Sequence, residues 1–63
     1  MFPPFWHAYR RRFDLAYYWP NCKRRAEGNL DRARQAFLAY TVNSPAWRRL
    51  PAAEVRRITE KLS

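Results

Sequence analysis

The chain is short of most residue types that support chemistry or covalent stapling. Cys22 is its only cysteine, so no internal disulfide can form. Cys22 and the single histidine, His7, fall far short of a metal ligand set. No metal or cofactor is expected. Gly28 is the only glycine, which leaves no glycine-rich loop to cradle a phosphate. No run of 18 apolar residues is present, so no transmembrane span is expected. The N-terminus shows no charged leader followed by an apolar core, so no signal peptide is visible. One unpaired cysteine fits a reducing, cytoplasmic setting.

Acidic residues are also few. Five Asp and Glu stand against 13 Lys and Arg, a formal charge of +8. Arginine dominates: only Lys23 and Lys61 are lysines. Guanidinium pairs with phosphate and carboxylate through a planar fork and stacks on aromatic rings, which ammonium does not. Such a balance points to an anionic partner: DNA or RNA first, an acidic protein surface second. An anionic membrane ranks last.

Aromatics are abundant, with three Trp, four Tyr and four Phe in 63 residues. The whole chain, 1–63, is expected to form one small domain. A chain this short is marginally stable, so dense aromatic packing, a homo-oligomer or a bound partner must add to it. Each buried aromatic removes roughly 150–250 Å² from water.

The apolar pattern predicts an all-α fold, with no strand alternation, repeat or low-complexity tract. A first helix is expected over 4–19, opened or preceded by Pro3 and Pro4. Phe5, Trp6, Tyr9, Phe13, Ala16 and Tyr17 follow helical spacing and form its expected inner side. His7, Arg10, Arg11, Asp14 and Tyr18 fall on the other. Arg12 is a misfit, placed toward the apolar margin. Pro20 is expected to break this helix and Asn21 to cap the next. Cys22, Ala26, Leu30, Ala33, Phe37 and Tyr40 then continue in phase through Gly28, favouring one long helix over 21–42. The alternative ends a helix at Gly28 and restarts it with Asn29 as cap. From Ala36 to Val42 the series is apolar nearly all round, which calls for cover by the C-terminal segment or a partner. Ser44 and Pro45 suit a helix start, with Trp47 and Leu50 inward. Pro51 opens a final helix over 51–62, with Val55, Ile58 and Leu62 inward and Arg56, Arg57, Glu60 and Lys61 outward. The architecture read from this is a small bundle: a two-helix hairpin closed by a short helix and a C-terminal helix.

Catalytic groups are hard to assemble from this inventory. Each acid has an Arg or Lys within four residues, as helix-surface ion pairs do. Glu27 and Asp31 have the spacing of a carboxylate pair, but Arg24 and Arg34 flank them. Cys22, read as sitting at a helix start before Lys23, Arg24 and Arg25, could have a lowered pKa, yet it lies on the apolar series and reads as a small core residue. Asn43, Ser44 and Pro45 followed by Arg48 and Arg49 make a poor helix-turn-helix, so base-specific readout is not expected.

The basic clusters are the main functional signal. Arg10, Arg11 and Arg12 lie in the first helix, and Lys23, Arg24 and Arg25 follow the expected turn. In the hairpin, Arg32 and Arg34 would sit alongside the first cluster. Arg48 and Arg49 extend the basic surface, and Tyr18 and Trp19 at the rim could stack on unpaired bases. The expectation is a non-enzymatic nucleic-acid-associated regulator or accessory subunit of a nucleoprotein complex. The alternative is a small interaction module, an inhibitor or adaptor of the kind phages and mobile elements encode, docking on an acidic surface of a larger protein.

Overall fold

Pro20 does not end the first helix. In the computed structural model, which describes residues 4–63, α1 (Pro4–Phe13) runs into a π-helical segment (Asp14–Tyr18) and then into α2 (Trp19–Arg25). Together they form one rod. In α geometry a proline ring clashes with the carbonyl four residues back and provides no N–H. Here the Trp19 N–H bonds the Asp14 carbonyl, five residues back. The wider turn displaces the ladder just before the ring, which is how a π segment absorbs such a conflict. Asn21 therefore lies inside α2 and caps nothing. Pro3, expected near the first helix start, is outside the described residues.

The hairpin turn lies instead at 26–29. The Glu27 N–H bonds the Arg24 carbonyl and the Gly28 N–H bonds the Lys23 carbonyl, both at 3.1 Å. This is a Schellman closure, with Glu27 in the left-handed region at φ 54 and Gly28 following at φ 85. Asn29 then caps α3 (Leu30–Val42), its side chain accepting from the Arg32 N–H at 3.1 Å. The alternative reading, with a break at Gly28, is the correct one. An unbroken apolar phase hid the turn because both helices meet the same core.

Two further helices close the hairpin. Ser44 and Pro45 start α4 (Pro45–Arg48), although the Ser44 side chain makes no capping hydrogen bond. Pro51 is the N-cap of α5 (Ala52–Glu60). No strand occurs among the described residues. The body measures 38 × 22 × 17 Å; the rod, at about 1.5 Å per residue, supplies most of the long axis.

Phe37 is the centre of the core. It is fully buried, and the rings of Trp19 and Trp47 meet it edge-on at 5.9 and 5.5 Å. Tyr18 and Tyr40 pack beside it, 4.2 Å apart. Cys22, Ala26, Ala33, Ala46 and Val55 complete the buried set. Two hydroxyls join them at low cost, because each donates to a carbonyl of its own helix: Thr41 to Leu38 and Thr59 to Val55. Ala36, Ala39 and Val42 stay exposed, so the C-terminal segment does not cover the end of α3 on every side.

The first helix is turned the other way from its expected orientation. Phe5, Tyr9 and Tyr17 are 72, 64 and 66% exposed, and Trp6, Phe13 and Ala16 are also exposed. Of the side read as polar, Asp14 is buried and His7, Arg11 and Tyr18 are half-buried, while Arg10 stays exposed. Asp14 is only 1% exposed. Its Oδ2 accepts from Trp47 Nε1 at 2.8 Å and from the Tyr40 hydroxyl at 3.0 Å. Its Oδ1 lies 3.4 Å from Arg10 Nε. A buried carboxylate is costly unless paired and hydrogen-bonded, and here it is both. Next to it, Arg11 Nη1 donates to the Ala46 carbonyl at 2.7 Å, satisfying an acceptor in the short α4. These bonds fix which side of α1 meets the bundle.

The C-terminal segment is pinned by donors from the hairpin. Arg34 Nε and Nη2 donate to the Leu62 carbonyl at 2.9 and 2.7 Å. Trp19 Nε1 and Lys23 Nζ donate to the Ser63 carbonyl at 3.2 and 3.1 Å. Leu62 thereby seals one end of the core together with Ile58 and Val55.

Candidate binding surfaces

The expected basic face divides into groups with different duties. Arg10, Arg11, Arg34 and Lys23 hold the fold through the bonds just described. Lys23 Nζ also lies 5.8 Å from the Trp19 ring centre. Trp19 is buried and Tyr18 is half-buried against Tyr40, so the pair does not form an open stacking rim. The side chains of Arg12, Arg24, Arg25, Arg32, Arg48 and Arg49 make no hydrogen bond or ion pair among the described residues. The hairpin register also differs from expectation. With the turn at 26–29, Arg32 lies across from Arg25, and Tyr40 rather than Arg32 or Arg34 meets Arg10.

Three surfaces result. The first is a shallow groove at the corner between α2 and α3, lined by Tyr18, Asn21, Cys22, Arg25, Arg32 and Ala36. Two guanidinium groups from different helices border it over a largely apolar floor. Arg24 is exposed on the adjoining turn. Asp31, the nearby acid, pairs at 3.4 Å with Arg34 and not with either of these. Glu27 sits in the turn, so the expected Glu27–Asp31 helical pair does not form. The Cys22 thiol is buried mid-helix, and that burial pushes its pKa up, the opposite of the lowered value considered from sequence. The thiol is a core group here.

A second surface is a cleft among α3, α4 and α5. Leu38, Val42, Leu50 and Val55 line it, with Arg48 and Arg56 at its edge. Sequence reasoning placed Arg56 only on an outer helix face. Arg48 and Arg49 end a four-residue helix whose Trp47 is core, so this junction has no recognition helix.

The third is the outer side of α1. Phe5, Tyr9, Phe13 and Tyr17, with Ala8, Ala16 and Arg12, line one continuous stripe. Phe13 and Tyr17 lie 4.8 Å apart and Trp6 stacks on Tyr9 at 6.3 Å. The sequence signal for this stripe was present as periodicity, but periodicity does not say whether a stripe faces a core or the solvent.

No family model, curated protein or solved structure matches the chain. No group of three potential metal ligands occurs among the described residues, and no described helix is long and apolar enough to cross a membrane.

Proposed function

We propose that this is a non-enzymatic nucleic-acid-associated protein, an accessory or regulatory subunit that grips a phosphate backbone at the corner between α2 and α3. The observation that carries the reading is the placement of Arg25 and Arg32 on opposite sides of one groove, with no carboxylate holding either. Exposed Arg24 extends the same corner. A formal charge of +8 would draw the protein toward any polyanion, and guanidinium forks fit phosphate oxygens. Such contacts position a protein without reading sequence.

The test is the salt dependence of binding to a labelled duplex. Each neutralised phosphate contributes about −0.9 to the slope of log K on log salt. Three contacts from Arg24, Arg25 and Arg32 give a slope of roughly −3. Replacing Arg25 and Arg32 by Ala removes about two of those units and weakens binding alike on unrelated sequences. Absence of binding to DNA and RNA at low salt, with the protein folded, overturns the reading.

A further inference from the structure

The cleft among α3, α4 and α5 has a chemistry that the corner groove lacks. We infer that it binds a small soluble amphiphilic anion, an apolar chain that ends in a carboxylate or a similar oxyanion. The inference does not rest on the nucleic-acid reading, because the cleft shares no residue with the corner between α2 and α3.

Two helices build its walls. Leu38, Thr41 and Val42 recur at i, i+3 and i+4 on α3, and Ala52, Val55 and Arg56 do the same on α5. Each set therefore shares one side of its helix. Trp47, Arg48 and Leu50, from α4 and the residues after it, complete the lining. The cleft measures about 370 Å³, within the range of roughly 300–1,000 Å³ typical of small-molecule sites. Val42 is 65% exposed although it stands on this wall, so an apolar side chain of the lining remains in contact with water.

The polar inventory decides the ligand. Apart from the arginines, only Thr41 and Trp47 bring polar side-chain atoms to the lining. Thr41 Oγ1 donates to the Leu38 carbonyl at 2.6 Å and Trp47 Nε1 to Asp14 at 2.8 Å. Both donors are engaged inside the fold. A ligand body in the cleft must then be apolar, because a polar group there would leave water and meet no side-chain donor. Charge enters only with Arg48 and Arg56. Both are exposed, and neither side chain has a hydrogen bond or ion pair among the described residues. The lining contains no acid. Glu54, in the first turn of α5, pairs with Arg57 instead. Two unpaired guanidinium groups on separate elements, beside an apolar wall, fit one anionic head joined to one apolar chain. Other anions use less of the cleft. A phosphate backbone would satisfy the arginines and leave Leu38, Val42 and Leu50 in water. An extended acidic peptide would lay N–H and C=O groups against side chains that offer them no partner.

The experiment follows the side-chain methyl signals of the intact protein by NMR while octanoate is added below its micelle-forming concentration. Saturable shifts are expected at Leu38, Val42, Leu50 and Val55. Hexanoate, two methylenes shorter, should bind about tenfold more weakly. Octanol keeps the chain without the charge and octylammonium reverses the charge; both should bind about tenfold or more weakly than octanoate. Arg48→Gln with Arg56→Gln should reduce octanoate to the octanol level and leave octanol unchanged. Val42→Glu, at an exposed position, sets a carboxylate on the wall and should abolish octanoate binding. Arg25→Ala with Arg32→Ala should leave octanoate binding unchanged while lowering the duplex salt slope, so failure of either proposal is read separately. Circular dichroism melts establish that each variant folds, and the ligand series on the wild-type protein decides the matter by itself where one does not. The inference is overturned if octanoate gives no saturable shift at the cleft, if hexanoate or octylammonium binds as tightly, or if the double glutamine variant still prefers octanoate to octanol. It is also overturned if the Arg25, Arg32 variant loses octanoate equally, which would make the response a general attraction of anions to a basic chain. Binding to phosphatidylglycerol vesicles that is lost in the Arg48, Arg56 variant would assign the cleft to a lipid surface and overturn it as well.

Discussion

α1 and α3 both carry an apolar series of helical period, yet they use it in opposite ways. α3 turns Ala33 and Phe37 into the core, with Tyr40 packed against it. α1 and the π segment after it present Phe5, Tyr9, Phe13 and Tyr17 to solvent and pack Arg11 and Asp14 against α4 and the end of α3. The difference shows that apolar area alone did not orient α1. Trp47 and Tyr40 each bring a polar hydrogen into the interior, and a buried donor without an acceptor costs about 1–3 kcal/mol. Asp14 answers both donors with a single oxygen. Hydrogen-bond satisfaction at one position therefore selects the inward side of a helix whose aromatic side is the more apolar.

The largest effect expected on the α3 side is that of Phe37→Ala. It removes the ring that Trp19 and Trp47 meet edge-on, at a cost of about 3–5 kcal/mol. A domain of this size has little more stability than that, so far-UV circular dichroism should show a largely unfolded chain at room temperature. A melt that barely moves would mean that α3 does not hold the core.

Asp14→Ala attacks the α1 side of the comparison. It leaves the Trp47 indole N–H and the Tyr40 hydroxyl without their acceptor, at about 2–4 kcal/mol for the two. Asp14→Asn keeps an acceptor oxygen and should recover much of the loss in chemical denaturation. If Asp14→Ala is as stable as the wild type, the polar hub is not what orients α1.

This contrast also explains what the sequence made legible. The all-α class, the buried Phe37 and the Pro45 start of α4 follow from periodicity and capping chemistry, which act locally; a two-helix hairpin is expected too, but with its turn at Pro20 and not at 26–29. The orientation of α1 does not follow from them, because it depends on Asp14 meeting Trp47, 33 residues later in the chain. Continuity past Pro20 was hidden for a related reason: proline is a local stop signal, and the π segment that accommodates it has no sequence signature of comparable strength. The candidate site divides the same way. Clustered arginines were visible, but the engagement of Arg11 with Ala46 and of Arg34 with Leu62 requires the tertiary register.

A smaller effect tests the turn that brings the two helices together. Gly28 has φ 85 with open space where a Cβ would lie, so Gly28→Ala meets no clash and only the backbone cost. A left-handed conformation costs a non-glycine residue about 1–2 kcal/mol. Melting should fall by roughly 4–8 °C per kcal/mol in a domain of this size. An unchanged melting temperature would place the turn elsewhere, as in the single long helix.

Alkaline pH probes the α2 end of the rod. Burial raises the pKa of the Cys22 thiol, and burial followed by the neighbouring Cys22 raises that of the Tyr18 phenol. Both groups bind their proton more tightly folded than unfolded. Their contribution is full below the unfolded pKa, about 8.5 for a thiol and 10 for a phenol, and is lost as pH rises through the folded values. Stability measured by urea denaturation should therefore decline above about pH 8.5, and Cys22→Ala should remove the earlier part of the decline. A flat profile to pH 10 would contradict a buried thiol.

The smallest effect belongs to the outer stripe, and it completes the comparison. Tyr9→Ser removes a ring that stacks on Trp6, and Tyr17→Ser removes one that leans on Phe13. Such pairs on a helix surface contribute about 0.2–0.5 kcal/mol. Each substitution should shift stability by no more than about 0.5 kcal/mol, several-fold less than the corresponding loss at Phe37. The two aromatic series thus separate by energy as well as by position: one holds the fold and the other adds little to it. A destabilisation of several kcal/mol from Tyr9→Ser would reverse that assignment, because it would mean the stripe is packed in solution. A near-neutral result is what rings that lie in solvent on α1 and the π segment should give, because their removal costs no core contact.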